Sequence, residues 1–328
     1  MSAARKRLLF IHTGGTLGMD GDPGPLAPSA YSNDVLRFVP GLEELVEIES
    51  VFVSNIDSSD MTAGHWEAIA GQVAGHLDDY DGFVVLHGTD TMAFSASACS
   101  YLLENLPKPV VFTGSQRPIA QLRSDARQNL IHAALCATLD LPEVSLCFNE
   151  ALTRGNRTTK VSVSSYEAYA SPQLPPLMRL GTDMKPGTPS RRPSGPFRLR
   201  QGFDRRVTVL TLYPGAHPLP LQQAVDSGAR AVILQAFGAG NLPLQDWPEA
   251  IAQATQAGVH VIVGSQCLEG RVELGRYAGS QAAKEAGALS ARDMTLEATL
   301  TRAMYLLAQE GDFRDAWRLD LAGEVTLG

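Results

Sequence analysis

Cysteine is scarce in this chain: four in 328 residues, Cys99, Cys136, Cys147 and Cys267, with no CxxC spacing. Three of the four sit among apolar neighbours, which suits reduced core thiols better than a disulfide frame. HExxH is absent and the seven histidines are scattered, so the pattern offers no metal site. Gly238-Ala239-Gly240 is too short for a dinucleotide fingerprint. Together these absences predict chemistry with neither metal nor organic cofactor. No segment approaches the roughly 20 uninterrupted apolar residues that span a bilayer, so no membrane partner is expected. The basic start, Met1 to Arg7, leads through a short apolar run straight into a glycine turn without a small-residue cleavage site. That pattern reads as a first strand rather than a signal peptide, in a cytoplasmic protein. Positive charge is also short, with 27 Lys and Arg against 35 Asp and Glu, a net charge of -8. Phosphate recognition needs clustered Lys and Arg, so nucleic acid is not an expected partner.

What is present is an ordinary globular composition, 44% apolar with 30 glycines, at a length that predicts about two domains. Apolar runs of strand length recur at Leu8 to His12, Phe83 to His87, Val110 to Thr113, Val144 to Phe148, Val207 to Tyr213, Ala231 to Ala236 and Val259 to Val263. Helical periodicity separates many of them. Trp66, Ile69, Val73 and Leu77 form one stripe, and Leu296, Leu300, Met304 and Leu307 another within an expected helix from Thr295 to Gln309. Alternating strands and helices predict an α/β fold whose larger N-terminal domain is a doubly wound, mainly parallel sheet, followed by a smaller C-terminal α/β domain. Residues 186–203 are rich in Pro, Gly and Arg and lack periodicity, the mark of a linker between domains at 1–185 and 204–328.

Two of the apolar runs break into turns that carry hydroxyls: Thr13-Gly14-Gly15-Thr16 and His87-Gly88-Thr89-Asp90-Thr91. Thr, Gly and Asp are common turn and cap residues, so either motif alone reads as structural. In an open α/β sheet, however, ligands bind beyond the carboxyl ends of the strands, and two such turns can bring their hydroxyls into one crevice. A third element, Arg154-Gly155-Asn156-Arg157-Thr158-Thr159-Lys160, is a polar loop ending in lysine. A hydroxyl nucleophile needs a neighbouring base, a role lysine can take.

With Asp57-Ser58-Ser59-Asp60, Ser171 to Leu177 (SPQLPPL) and Asp293 to Leu300 (DMTLEATL), these motifs resemble the bacterial type I, cytoplasmic L-asparaginases nearly end to end. The resemblance implies hydrolysis of L-asparagine at its side-chain amide, within a dimer or tetramer of identical chains. It assigns Thr16 as the nucleophile that forms an acyl ester, Thr89, Asp90 and Lys160 as the second catalytic group, and Asp57, Ser58 and Ser59 with Thr89 and Asp90 as substrate clamps. Thr13 supports the turn, while Gly14 and Gly15 allow close backbone approach. Many relatives carry a tyrosine on the loop after TGGT; here Asp20 to Pro28 has none, the nearest being Tyr31. The resemblance moves that role to Tyr277. The order in which the two threonines act stays open. Rival readings are a glutaminase-asparaginase, the amidase subunit of a tRNA amidotransferase, disfavoured by the acidic balance and by the absence of the domain that subunit carries before TGGT, and a silent amino-acid-binding regulator, disfavoured by retention of Thr16, Thr89, Asp90 and Lys160.

Overall fold

The apolar runs near residues 8, 83, 110 and 144 are short, rich in Val, Ile, Leu and Phe, and bounded by turn residues. Each forms a strand: Lys6–Gly14, Gly82–Leu86, Val110–Thr113 and Val144–Phe148. The last three are buried at every position, the pattern of strands covered on both faces. The computed structural model describes residues 5–15, 17, 19–20, 27–28, 37 and 39–326. The chain divides into two units, Met1–Gln201 and Gly202–Gly328.

The first unit holds an eight-stranded sheet in the order Met184–Pro186, Met178–Leu180, Ala151–Arg154, Val144–Phe148, Val110–Thr113, Gly82–Leu86, Lys6–Gly14, Val46–Ile56. The last five run parallel; the first three are added antiparallel. Numbered by their place in the chain, the parallel strands lie in the order 2-1-3-4-5. The winding direction therefore reverses between Lys6–Gly14 and Gly82–Leu86, which pair from Leu8↔Gly82 to His12↔Leu86. A crevice opens at such a reversal.

Helices Ala63–Gly75, Met92–Leu102 and Ala126–Ala137 make the crossovers. Ala63–Gly75 buries Trp66, Ile69, Ala70 and Val73, whereas Leu77 of the expected stripe lies past its end. Ala126, Leu130, Ala133 and Ala137 pack in one core with Leu8, Phe10, Val84, Leu86 and Val111.

The stretch expected as a linker is fastened to the first unit through Gln201. Arg154 forms a buried ion pair with Glu143 (2.5 Å), and Glu143 also accepts from the Arg191 backbone (3.0 Å). Asn105 accepts from Ser194 N (3.1 Å), and Arg198–Leu199 pairs with Leu103–Glu104. An irregular backbone needs partners, and these come from distant side chains that local composition does not reveal.

The second unit has a four-stranded parallel sheet, Val207–Thr211, Ala231–Ala236, His260–Ser265 and Leu289–Ser290. The expected C-terminal helix is Leu296–Ala308, N-capped by Thr295. Its buried surface is wider than the predicted stripe: Leu296 and Leu300 are only partly covered, while Glu297, Thr301 and Arg302 are buried. Arg302 and Glu324 meet at 2.8 Å with both side chains fully buried. Arg302 Nη2 donates to the carbonyls of Ala316, Trp317 and Leu319, and Glu324 accepts from Leu321 N and Ala322 N. Hydrogen bonds of this density let a charged pair leave water.

Cys99, Cys136 and Cys147 are buried, Cys267 is exposed, and all four are free. Burial raises the Cys99 thiol; a hydrogen bond with Cys136, then burial, raises Cys147. Both are therefore poor nucleophiles. Among the described residues no helix is long and apolar enough to cross a membrane, and no cluster of His, Cys, Asp or Glu could hold a metal.

Candidate functional site

At the winding reversal three turns press closely together, and glycine is what permits it. Gly14 and Gly15 have φ of +102° and +90°, in the left-handed region. A Cβ on Gly14 would lie 2.4 Å from Ile56 O, one on Gly15 2.3 Å from Gly88 N, and one on Gly88 2.6 Å from Ser58 Cβ. The segments around residues 14, 58 and 88, distant in sequence, are thus pressed together. Hydrogen bonds lock them: Gly15 N donates to Ile56 O (3.1 Å), Thr13 Oγ1 to Leu86 O (2.9 Å), and Thr91 Oγ1 to Ser58 O (2.7 Å). Thr13 is accordingly a turn support. Thr16 and Tyr31 lie outside the described residues, as does most of the loop from Asp20 to Pro28, where Met19–Asp20 pairs with Ala27–Pro28.

Asp57 caps the turn Ser58–Asp60, accepting from Ser59 N at 2.8 Å. Its hydrogen bonds from Ser59 hold its carboxyl below the usual carboxylate range. Ser58 is buried against Gly88.

Across the crevice Lys160 Nζ donates to Thr89 Oγ1 (2.8 Å) and to Asp90 Oδ1 (2.7 Å). Thr89 is buried and Asp90 largely exposed. Lys160 is delivered by the short strand Thr159–Lys160, paired with Tyr169–Ala170. The loop before it, which reads as polar in sequence, is buried at Asn156, Arg157 and Thr158. Thr158 Oγ1 donates within it, to Arg154 O, at 2.7 Å. An ammonium group 2.8 Å from a buried hydroxyl can stabilise the alkoxide that the hydroxyl becomes on losing its proton.

The structure thus joins Gly14, Gly15, Asp57, Ser58, Ser59, Thr89, Asp90 and Lys160 in one place. Tyr277 belongs to the second unit, where it precedes helix Ala278–Glu285, about half exposed, its N–H donating to Ser280 Oγ (3.1 Å).

Sequence reasoning missed several groups around Thr89. The Tyr169 hydroxyl donates to the Thr89 carbonyl, and Thr89 Oγ1 donates to Gln116 Oε1 (3.2 Å). Fully buried His87 sits at the end of a directed chain. Because a carbonyl only accepts, Nδ1 must carry the proton given to Gly88 O (2.7 Å); Nε2 then accepts from Ser95 Oγ (2.8 Å), which accepts from Trp66 Nε1 (2.9 Å). Burial pushes His87 down to about 4, so it is neutral and serves as structure. His87 adjoins the GTDT turn and could have been singled out; Ser95 and Trp66 carry no signal in sequence.

The chain matches two family profiles, one described as "Asparaginase, N-terminal" over residues 7–190 and one as "Glutaminase/Asparaginase C-terminal domain" over residues 206–319. It is 39% identical over 333 residues to L-asparaginase 1 of Escherichia coli, with 98% of each chain covered. The crystal structure of L-asparaginase I from Vibrio cholerae is similar at a TM-score of 0.90 and 38% identity, covering 99% of this chain and 100% of that one. The thermostable L-asparaginase from Thermococcus kodakarensis is similar at a TM-score of 0.91 and 31% identity, covering 98% and 100%.

Proposed function

The chain belongs to the asparaginase family, and from that premise we propose that it hydrolyses L-asparagine to L-aspartate and ammonia as an amidohydrolase. The observation that carries this reading is the contact of Lys160 with both Thr89 and Asp90 beside the three glycine-tight turns. The Thr16 hydroxyl attacks the carboxamide carbon, its proton leaves with the amine as ammonia, and a β-aspartyl ester remains. Water then cleaves the ester, restoring Thr16 and releasing aspartate. Thr89 and Lys160 handle the proton of the attacking group, and Asp90 faces the substrate α-ammonium. The segment Asp57-Ser58-Ser59 grips the α-carboxylate from the turn that Asp57 caps.

Tyr277 supplies the phenolic group that the loop from Asp20 to Pro28 lacks. Residues 1–185 carry the rest of the chemistry, and the protein works in the cytoplasm as a dimer or tetramer of identical chains. Asparagine is preferred to glutamine; a pocket resolves one methylene by only about 1 to 3 kcal/mol, so the preference rests on misplacing the longer amide relative to Thr16.

Ammonia release from asparagine by purified protein, alongside Thr16→Ala, Lys160→Met, their double variant and Tyr277→Phe, tests the reading. Each single change is expected to remove most turnover, and the double is expected to be hardly worse than either, since groups acting as one unit are strongly non-additive. Full activity in Thr16→Ala would sink it. Binding of asparagine without ammonia release would instead identify a regulator.

A further inference from the structure

Gln116 has its backbone N–H and both side-chain amide atoms fixed in direction. Its backbone N–H donates to both oxygens of Asp125 (3.1 and 3.0 Å), which also accept from Arg117 N and Asn129 Nδ2. Its side-chain Nε2 donates to Ser165 O (3.1 Å) and, more weakly, to Ser162 O (3.5 Å). Those carbonyls only accept, so the amide nitrogen must face them and Oε1 must face Thr89. Oε1 carries no proton, so the 3.2 Å contact requires the Thr89 hydroxyl to donate to Gln116. At the same time Thr89 Oγ1 accepts from Lys160.

We propose that Gln116 is a positioning residue for the Thr89–Lys160 pair: it holds the Thr89 hydroxyl proton away from Lys160 and ties Thr89 to the 161–168 loop that joins the strand of Lys160 to that of Tyr169. This rests on the reading of Lys160 as the partner that takes up the Thr89 proton. To hand that proton over, the hydroxyl must turn from Oε1 toward Nζ. At 3.2 Å the bond is longer than the usual O–H···O distance of about 2.7 to 2.8 Å, so Gln116 orients the hydroxyl without trapping it. The other charged groups at hand are Asp90, on Lys160, and Asp125, on the Gln116 backbone; His87 is buried and neutral.

Two variants test this by pushing in opposite directions. Gln116→Met keeps the bulk and removes the acceptor, freeing the hydroxyl to donate to a proton-free amine. The acid limb of the kcat–pH profile is expected to move to lower pH. Gln116→Glu sets a carboxylate beside the pair and favours the ammonium, moving that limb to higher pH. Gln116→Met also cuts the tie between Thr89 and the 161–168 loop, so kcat is expected to fall about tenfold, the order set by one neutral hydrogen bond, with KM within about twofold. A residue that merely supports the fold would lower activity without opposed shifts.

A readout independent of turnover is the Thr89 hydroxyl proton in 13C-threonine-labelled protein, assigned with Thr89→Val. Wild type is expected to hold one rotamer about Cβ–Oγ by the three-bond coupling of that proton to Hβ, and Gln116→Met an averaged one. An unchanged Thr89 rotamer in a folded Gln116→Met protein overturns the inference. A changed rotamer with unmoved acid limbs supports Gln116 as positioning residue and removes Lys160 from its assigned role, so the two failures are told apart.

Discussion

Two histidines of the first unit fold at a cost that rises in acid, and the size of that cost follows from their burial. His87 is enclosed in the chain from Trp66 through Ser95 to the Gly88 carbonyl, and His12 stacks on Phe52 at 4.4 Å with Nε2 3.3 Å from Ser50 Oγ. Burial pushes both down to about 4 from an ordinary 6.5. Above about pH 6.5 neither folded nor unfolded chain binds these protons, and stability is at its full value. As pH falls from about 6.5 to 4, the unfolded chain takes up protons that the folded chain refuses, so stability declines. The gap is worth about 3 kcal/mol per histidine, with a slope approaching 1.4 kcal/mol per pH unit each. Against a typical total of about 5 to 15 kcal/mol that loss is large. Asp57 and Asp81, held below the carboxylate range, lose their contribution only as pH falls toward their depressed values. Urea midpoints at fixed protein concentration, taken from about pH 7.5 to 4.5, measure the slope. His260, which burial also lowers, adds to the wild-type dependence, and His87→Gln or His12→Gln is expected to reduce that dependence by about one proton each. Parallel pH dependences in wild type and both variants would refute the reasoning, whatever the variants' absolute stabilities.

Gly88→Ala would place a Cβ 3.2 Å from Gly15 Cα as well as against Ser58, so the turns must separate. Most ammonia release is expected to vanish, with stability down by about 1 to 3 kcal/mol. Gly71→Ala, on a helix with open space around it, is expected to gain about 0.5 to 1 kcal/mol in the same urea assay. Wild-type turnover in Gly88→Ala would show that the tight turns are not needed. In the second unit, Arg302→Met or Glu324→Gln strands one member of the buried pair and is expected to cost about 3 to 5 kcal/mol, with the Arg302→Met, Glu324→Leu double variant recovering part of it. Thermal or urea unfolding of the three proteins checks this; singles within about 1 kcal/mol of wild type would count against the pair as a clamp.

The central strands could be read from the sequence because their runs are short, apolar and followed by turn residues. Val46–Ile56 could not: an edge strand keeps one side in water, and its Glu47, Glu49 and Ser50 break the apolar run. Arg302 hid for a related reason, since periodicity counts apolar residues and says nothing of a charge satisfied by Glu324 from a later segment. The glycine turns announced themselves locally, whereas the meeting of Lys160 with Thr89 is a tertiary side-chain contact across 71 positions. Family resemblance suggested that meeting; spacing alone did not. Gln116 and Ser95 are ordinary polar residues whose partners are chosen by tertiary neighbours, so they stayed invisible.

The contacts of Gly14, Gly15 and Gly88 also limit how the enzyme can be redesigned. Where Gly14 and Gly15 meet Ile56 and Gly88 the contact is main chain on main chain, and no residue smaller than glycine exists with which to deepen it. Making space there for a substrate one carbon longer would require moving whole strands, a change no single codon encodes. A library seeking new amide preference therefore holds the three glycines constant.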